Sequence, residues 1–241
     1  MTKILYLLPN LLGENDSFEE FFPPIIKKIL PTLDGLFVES EKEGRRFLSH
    51  FLPREQWTKI KLKECNEHTL VSMKEEMIKP LVDGETWGLI SDAGLPCIAD
   101  PGSWLVLEAR KRGIDVQAIP GPSSIFLALM SSGLPAQSFL FHGYLPREEN
   151  ELRKKLLLME KNSIEKGMTH LWMETPYRVE KMCHMALRVF HPNTLFCVAQ
   201  NLLQPTERVI VKPIRLWEGI RVENVPSIFL IYASNSTAMW S

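Results

Sequence analysis

The chain has 241 residues, of which 45% are hydrophobic and 24% are charged, a composition typical of one large or two small globular domains. Its net charge of −1 excludes the overall basic surplus that marks many nucleic-acid-binding proteins, although a local basic patch stays open. The longest apolar runs, such as Ile228 to Tyr232, are too short to span a bilayer, which predicts no membrane association. Four scattered cysteines without paired spacing indicate reduced thiols in a cytoplasmic protein, not disulfides or a zinc site.

In the first half of the chain, short β-rich runs alternate with helical stretches. The predicted strands are Ile4 to Leu8, Gly35 to Val38, Trp87 to Ile90 and Asp115 to Ile119. The predicted helices are Phe18 to Leu30 (interrupted at Pro23 and Pro24), Lys42 to Leu52, Thr69 to Leu81 and Trp104 to Arg112. This alternation is typical of crossover units and predicts a mainly parallel sheet.

The second half contains more strands and fewer crossovers, which predicts a mixed sheet. Helices are predicted at Ser124 to Ser132, Arg147 to Lys161 and Arg178 to Val189. Strands are predicted at Phe139 to Gly143, His170 to Met173, Leu195 to Ala199, Glu207 to Val211 and Ser227 to Ala233. We therefore expect an α/β protein with an N-terminal domain at residues 1–118 and a C-terminal domain at residues 119–241.

A polar loop with the sequence SDAGLPCIADPG, Ser91 to Gly102, follows the buried strand that ends near Ile90. In open α/β sheets, ligands bind outside the carboxyl ends of the strands, so this loop is suitably placed for a site. Gly94 permits a positive φ or a close backbone approach, and Asp92 and Asp100 can close turns while offering an oxygen to a ligand. Taken alone, the segment fits a purely structural loop equally well. No third hard ligand adjoins the two aspartates, so we predict no metal site.

Two further segments join a strand to a helix. In IPGPSSI, Ser123 or Ser124 can cap the following helix, and capping alone would explain this segment. In WMETPYR, Glu174 and Arg178 follow a strand, and Met173 could pack on a flat ring; the alternative is a core Met173 and a surface Arg178. Glycine-rich dinucleotide and P-loop fingerprints are missing, which argues against nicotinamide and nucleoside-triphosphate sites.

Taken in order with SGLP and FHGYLP, these segments resemble the tetrapyrrole methylase superfamily, and most closely its branch of small-subunit ribosomal RNA cytidine 2′-O-methyltransferases. The similarity runs from Leu5 to Tyr232. It implies a two-domain tetrapyrrole-methylase-like α/β fold, a homodimer, and S-adenosylmethionine bound in a cleft between the domains. The cofactor-binding positions that the resemblance implies are Pro9, Leu12, Asp92, Gly94, Leu95, Pro96, Ile98, Ser123, Ser124, Met173 and Asn201.

The chain departs from that branch at three places. The family's PTPIGN reads PNLLGE from Pro9 onward, its EDTR reads ESEK from Glu39 onward, and its late ARELTK reads AQNLLQ from Ala199 onward. The resemblance therefore supports the cofactor loops better than the acceptor side.

A methyl group on a sulfonium is already activated, so the protein must chiefly orient the acceptor. For a hydroxyl acceptor, Glu39 and His68 are the candidate general bases, followed by His142. The leading function is methylation of RNA, with ribosomal RNA as the expected substrate. The alternatives are a methylase of a tetrapyrrole or other small molecule, and a cofactor-binding protein without catalysis. Leu95 stands where porphyrin and corrin methylases carry the Asp of a Gly-Asp-Pro run, which disfavours the small-molecule alternative.

Overall fold

The fold is taken from a computed structural model that describes residues 4–13, 18–66, 69 and 73–234. His68, one of the two predicted bases, lies outside the described residues. The chain divides into two compact units, Met1–Ser123 and Ser124–Ser241, and each contains one five-stranded sheet.

The sheet of the first unit is parallel throughout, with the strand order β3-β2-β4-β1-β5. Its strands are β1 (Ile4–Leu7), β2 (Gly35–Val38), β3 (Lys61–Glu64), β4 (Trp87–Leu89) and β5 (Asp115–Ala118). Its helices are α1 (Ile26–Ile29), α2 (Glu41–Phe51), α3 (Arg54–Trp57), α4 (Lys74–Val82) and α5 (Ser103–Lys111). The predicted parallel sheet is confirmed.

Alternation along the central strands divides the core of the first unit into two clusters. On β2, Leu36 and Val38 pack in one cluster with Phe47, while Phe37 packs in the other with Trp87. Successive side chains of a strand point to opposite faces, so both faces of this sheet are covered, as parallel sheets require.

Two predicted helices of the first unit contain proline. The stretch from Phe18 to Leu30 is interrupted at Pro23 and Pro24, as predicted: a 3-10 turn (Phe18–Phe21) precedes the short α1, since these prolines cannot donate a helical hydrogen bond. In α4, Pro80 leaves the carbonyl of Glu76 without its helical donor, and Lys63 Nζ donates to that oxygen at 3.2 Å.

The edge strand β3 is missing from the sequence prediction. Its four residues read KLKE and carry a single apolar side chain, Leu62, so no strand-like apolar pattern marks it. It forms because its backbone pairs in parallel with the buried β2, from Gly35 opposite Lys61 to Val38 opposite Glu64.

The second unit contains a mixed sheet with the strand order β6-β7-β10-β8-β9, which confirms the predicted class. Only the pair β6–β7 is parallel. The strands are β6 (Phe139–Tyr144), β7 (Thr169–Glu174), β8 (Leu195–Gln200), β9 (Arg208–Pro213) and β10 (Ser227–Tyr232), and the helices are α6 (Ser124–Ser132), α7 (Glu149–Lys166) and α8 (Val179–Val189).

An aromatic cluster fills the core of this second unit. The rings of Trp172 and Phe229 stack with centroids 5.5 Å apart, and Phe196 packs on both Phe229 and Trp217. Helix α7 begins where the Glu148 carboxylate accepts from the backbone N–H groups of residues 150 and 151, and it ends at Gly167 with φ 61°. None of the helices in the described ranges is both long and apolar enough to cross a membrane.

Candidate functional site

A crevice is expected at the carboxyl ends of β1 and β4, which are neighbours in the sheet of the first unit. The chain leaves β1 toward β2 in one direction across the sheet and leaves β4 toward β5 in the opposite direction. Because parallel crossovers are right-handed, connections that run in opposite directions lie on opposite faces of the sheet. Such a switch in direction is where open α/β sheets bind ligands.

Asn10 joins the loops that follow these two strands. Its backbone N–H donates to the Gly94 carbonyl at 2.7 Å, and the Gly94 N–H donates to the Leu11 carbonyl at 3.2 Å. The Asn10 side-chain amide donates to the carbonyls of Ser91 at 2.9 Å and Asp92 at 3.1 Å. Asn10 is only 8% exposed. It stands where the related branch has threonine, so the resemblance did not imply it as a site residue. An asparagine in the loop that follows a strand is the signal in the sequence that could have revealed it.

Glu39 and Asp92 are in direct contact through the ends of β2 and β4. The Asp92 N–H donates to Glu39 Oε2 at 3.1 Å, while the N–H and hydroxyl of Ser40 donate to Asp92 Oδ1 at 3.2 and 3.1 Å. The structure therefore brings the predicted base Glu39 together with the predicted cofactor residue Asp92. Their roles in cofactor binding and catalysis stay predictions.

Asp100 adds a third carboxyl group to this cluster. Burial, together with the negative charges of Glu39 and Asp92, raises the pKa of Asp100 to about 6, although the Ser91 hydroxyl opposes the shift. Within the described ranges, no three His, Cys, Asp or Glu side chains are placed to hold a metal ion.

The loop from Ser91 to Gly102 contains several left-handed backbone conformations. Gly94 has φ 72° and Gly102 has φ 111°, but Cys97 (φ 69°) and Ala99 (φ 65°) adopt this conformation without being glycine. A non-glycine residue in this conformation, such as Cys97 or Ala99, costs on the order of 1–3 kcal/mol, and such strain is concentrated at functional sites. Along this loop Pro96 is buried, Leu95 is half-buried, and Ile98 is 41% exposed.

Two close approaches fix the remaining loops of the first unit. A Cβ on Gly121 would lie 2.1 Å from the Cβ of Pro9, so the loop after β5 touches the end of β1 only because residue 121 is glycine. A Cβ on Gly94 would lie 3.3 Å from Leu12 Cδ2. Pro9, Leu12, Gly94 and the start of the segment leading to the buried Ser123 are thus neighbours.

A cavity of about 190 Å³, named here the Asn10 cavity, adjoins this cluster. Its lining residues are Asn10, Leu11, Leu12, Gly13, Glu43, Arg46, Phe47, His50, Asp92 and Ala93. Burial and the positive charge of Arg46 lower the pKa of His50, so its imidazole is neutral at physiological pH. Neither His50 nor Arg46 was predicted as a site residue from the sequence.

Two of the predicted cofactor residues of the second unit, Met173 and Asn201, lie at the same end of its sheet. β7 and β8 flank β10 in the same direction, so Met173 near the end of β7 and Asn201 just after β8 occur at the same end. Asn201 has φ 49° and is half-buried, and Ser124 is the first residue of α6. Their part in cofactor binding stays a prediction.

Two polar residues at this end of the sheet, Arg178 and Gln200, have structural partners. Arg178 is not a surface residue, contrary to the alternative considered from the sequence: its side chain is 15% exposed, lies 3.1 Å from Glu174 Oε1, and donates to the carbonyls of Leu145 and Pro146. Gln200, at a position where the related branch differs, is buried, and its amide donates to Ser227 Oγ and the Glu223 carbonyl. The residue that replaces the family's residue at this position therefore makes an internal contact at the end of the sheet and does not lie on an exposed acceptor surface.

His142, the third candidate base, pairs with another histidine. Its Nε2 lies 2.8 Å from Nδ1 of the buried His170. Burial, followed by the positive charge of Lys155, lowers the pKa of each imidazole to about 4. The pair is neutral at physiological pH and lies in the second unit.

The fold places the chain among α/β proteins that pair a parallel sheet with a mixed sheet, a class that includes solved methyltransferases. The methyltransferase CobJ shares the fold with a TM-score of 0.63 and 14% identity, over 97% of this chain and 95% of that one. Uroporphyrin-III-C-methyltransferase from Thermus thermophilus has a TM-score of 0.53 and 17% identity, over 95% and 94% of the two chains. The family model of Tetrapyrrole (Corrin/Porphyrin) Methylases matches residues 27–216, and the chain belongs to this family.

Among relatives, the chain is similar to proteins named ribosomal RNA small subunit methyltransferase I. The protein of Halalkalibacterium halodurans is 37% identical over 73% of this chain and 56% of its own length. The proteins of Xylella fastidiosa and Vibrio cholerae are 33% and 29% identical over 78% and 88% of this chain, and over 65% and 69% of their own lengths. The chain thus spans little more than half of the first of these relatives.

Proposed function

We propose that this chain is an S-adenosylmethionine-dependent methyltransferase whose acceptor is ribosomal RNA. The observation that carries the proposal is the pair of loops locked by Asn10 and Gly94 at the switch point of the sheet, in a chain of the methylase family. The names of the relatives supply the acceptor, and their coverage extends over most of this chain.

The residues of the first unit fit a cationic methyl donor. S-adenosylmethionine carries a sulfonium and an ammonium group, and the cluster of Glu39, Asp92 and Asp100 supplies negative charge at the ends of the strands. Gly94, at which a side chain would crowd Leu12, allows a ligand to approach the backbone. We assign Pro9, Leu12, Asp92, Gly94, Leu95, Pro96, Ile98 and Ser123 to the cofactor surface of this unit.

Glu39 is the proposed general base for a hydroxyl acceptor. Its Oε2 is held by the Asp92 N–H at 3.1 Å, which orients the carboxylate and leaves Oε1 to accept the proton of the acceptor. Such a base contributes roughly 10²- to 10⁴-fold to the rate. The cofactor, when bound, supplies the activated methyl group.

The test combines calorimetry with transfer of a radiolabelled methyl group from S-adenosylmethionine to small ribosomal subunits, and to a tetrapyrrole-containing extract as a parallel acceptor. We expect binding of the cofactor and label in the RNA. Label in the tetrapyrrole fraction alone would refute the RNA acceptor, and binding without transfer to either would indicate a protein without catalysis.

Gly94→Val and Gly113→Val form a matched pair for the cofactor site. Both glycines have positive φ, 72° and 68°, so both variants incur backbone strain, but the Cβ of residue 113 has open space around it. We expect Gly94→Val to weaken cofactor binding more than tenfold and Gly113→Val to bind normally. Wild-type affinity in the Gly94 variant would remove this loop from the site.

A homodimer in the cytoplasm is part of the same proposal. The second unit exposes Phe126 and Phe139, whose ring centroids are 6.1 Å apart, and Met130, which is 76% exposed. All four cysteines are free thiols, as a reducing compartment requires. Light scattering on the purified protein should give twice the mass of the chain, and Met130→Glu should shift it toward the monomer.

A further inference from the structure

A second cavity of the first unit, named here the Trp57 cavity, lies on the other side of α2. It has a volume of about 390 Å³ and is lined by Glu41, Arg45, Trp57, Thr58, Ile60 and Leu62. This volume falls within the roughly 300–1,000 Å³ that small-ligand sites span. Ile60 is buried, and Trp57 and Leu62 are partly buried against the core, so the apolar wall is held by packing.

The chain that builds this cavity is locally basic. Residues 41–64 contain seven Lys and Arg against four Glu, a net charge of +3, whereas the whole chain carries −1. Arg54 and Lys59 are exposed, and neither forms an ion pair with any other described residue. The net charge of the whole chain therefore conceals a local basic patch.

Two other cations of this segment, Arg45 and Lys61, have weak or exchangeable partners. Arg45 lies 2.5 Å from Glu41, but the two side chains are 59% and 47% exposed, and exposed pairs are worth about 0–1 kcal/mol. Lys61 pairs with Glu85 at 2.8 Å, also at the surface. A phosphate group could replace the carboxylate on Arg45 at little cost.

We propose that the Trp57 cavity binds one unpaired nucleotide of an RNA strand, with the base stacked on Trp57 and the adjacent phosphates held by Arg45, Lys59 and Arg54. An aromatic platform beside a basic groove is how proteins bind single strands without reading their sequence. The inference rests on the RNA acceptor proposed above.

The position of the cavity suits an RNA methyltransferase. Glu41 and Arg45 line the Trp57 cavity, whereas Glu43, Arg46 and His50, on another face of the same helix, line the Asn10 cavity beside Asp92. Helix α2 thus separates the two cavities. A nucleotide on Trp57 would anchor the strand next to the candidate acceptor site without occupying it.

The binding experiment uses the 241-residue chain and fluorescein-labelled 12-mers of uridine and cytidine, measured by anisotropy at 50 and 200 mM salt. We expect Trp57→Leu to weaken binding roughly 5- to 150-fold, the range for loss of one base stack, and Trp57→Phe to stay near the wild type. Arg45→Gln should lower the slope of log affinity against log salt by about 1.

Two matched variants control for loss of stability and of charge. Trp104 is another half-buried tryptophan of the first unit, with Lys74 Nζ 5.2 Å from its ring centroid, but it does not line the cavity. Lys79 forms an exposed i,i+4 pair with Asp83 like that of Arg45 with Glu41. Trp104→Leu and Lys79→Gln should bind the 12-mers as the wild type does, and urea unfolding of every variant identifies any that misfolds.

Binding of Trp57→Leu within twofold of the wild type would overturn the inference, and so would a wild type that binds neither 12-mer. Methylation of small ribosomal subunits separates this failure from that of the proposed function. We expect Trp57→Leu to raise KM for the RNA, with kcat and cofactor affinity unchanged. RNA methylation that does not depend on Trp57 would refute only the role of the Trp57 cavity in nucleotide binding. RNA binding that depends on Trp57, without methyl transfer to RNA, would refute only the proposed function.

Discussion

The guanidinium of Arg178 lies 3.1 Å from the carboxylate of Glu174, whose side chain is fully buried at the end of β7. Burial raises the pKa of Glu174, and Arg178 is the main group that opposes this shift. Arg178 also donates to the carbonyls of Leu145 and Pro146, so one side chain neutralises a buried acid and holds the loop after β6. The ETPYR segment therefore has a structural role in the second unit.

Arg178→Leu should destabilise the protein by about 3–5 kcal/mol, because it leaves a buried carboxylate without its partner. The measurement is urea unfolding at pH 7. Adding Glu174→Gln to this variant should restore part of the loss, since the buried charge is then removed. An Arg178→Leu variant as stable as the wild type would show that the pair contributes nothing.

Stability should fall as the pH is lowered from about 7 to about 4, because His142 and His170 are held neutral. Their folded pKa values are about 4, against about 6.5 in the unfolded chain, so the unfolded state takes up protons first. The loss is at most about 3 kcal/mol per histidine and is complete near pH 4. Unfolding of His142→Gln at pH 7, 6 and 5 should show a shallower dependence, and an unchanged slope would contradict this assignment.

Asp100→Asn should stabilise the protein at pH 7 and leave it nearly unchanged at pH 4. The folded pKa of Asp100, about 6, lies above the unfolded value of about 3.9. Ionisation of this carboxyl therefore costs more in the folded state, and the free energy of unfolding falls as the pH rises through these values. We expect a gain of about 1–3 kcal/mol at pH 7. A variant less stable than the wild type at pH 7 would contradict an electrostatic cost at this position.

Asn10→Asp should weaken S-adenosylmethionine binding more than Asn10→Ala does. The aspartate keeps the acceptor for the Leu11 N–H but places a negative charge against the carbonyls of Ser91 and Asp92. We expect Asn10→Ala to bind the cofactor about tenfold more weakly, because one to two hydrogen bonds are lost. Asn10→Asp should weaken binding further. Asn193→Ala, which removes the exposed acceptor of Arg215, is the control and should bind normally by calorimetry.

The sequence alone determined the class of fold, because strand and helix periodicities are local. Strands such as Gly35–Val38 and helices such as Ser124–Ser132 have the predicted bounds. The charged β3 escaped prediction because only pairing with the buried β2 makes it a strand. The resemblance likewise identified the family, and Glu39 and Asp92 as candidates, from motifs that follow strands.

Only the tertiary structure decided which of these residues touch. His50 and Trp57 belong to no motif, and their importance comes from the cavities that they line. The contacts of Asn10 span more than eighty residues of chain, as with the Asp92 carbonyl at 3.1 Å. Spacing in sequence does not encode such distances, since strand order brings β1 beside β4 and leaves β2 two places away. The local basic patch beside Trp57 was similarly hidden in a net charge of −1, because charge adds over the chain while binding depends on where it lies.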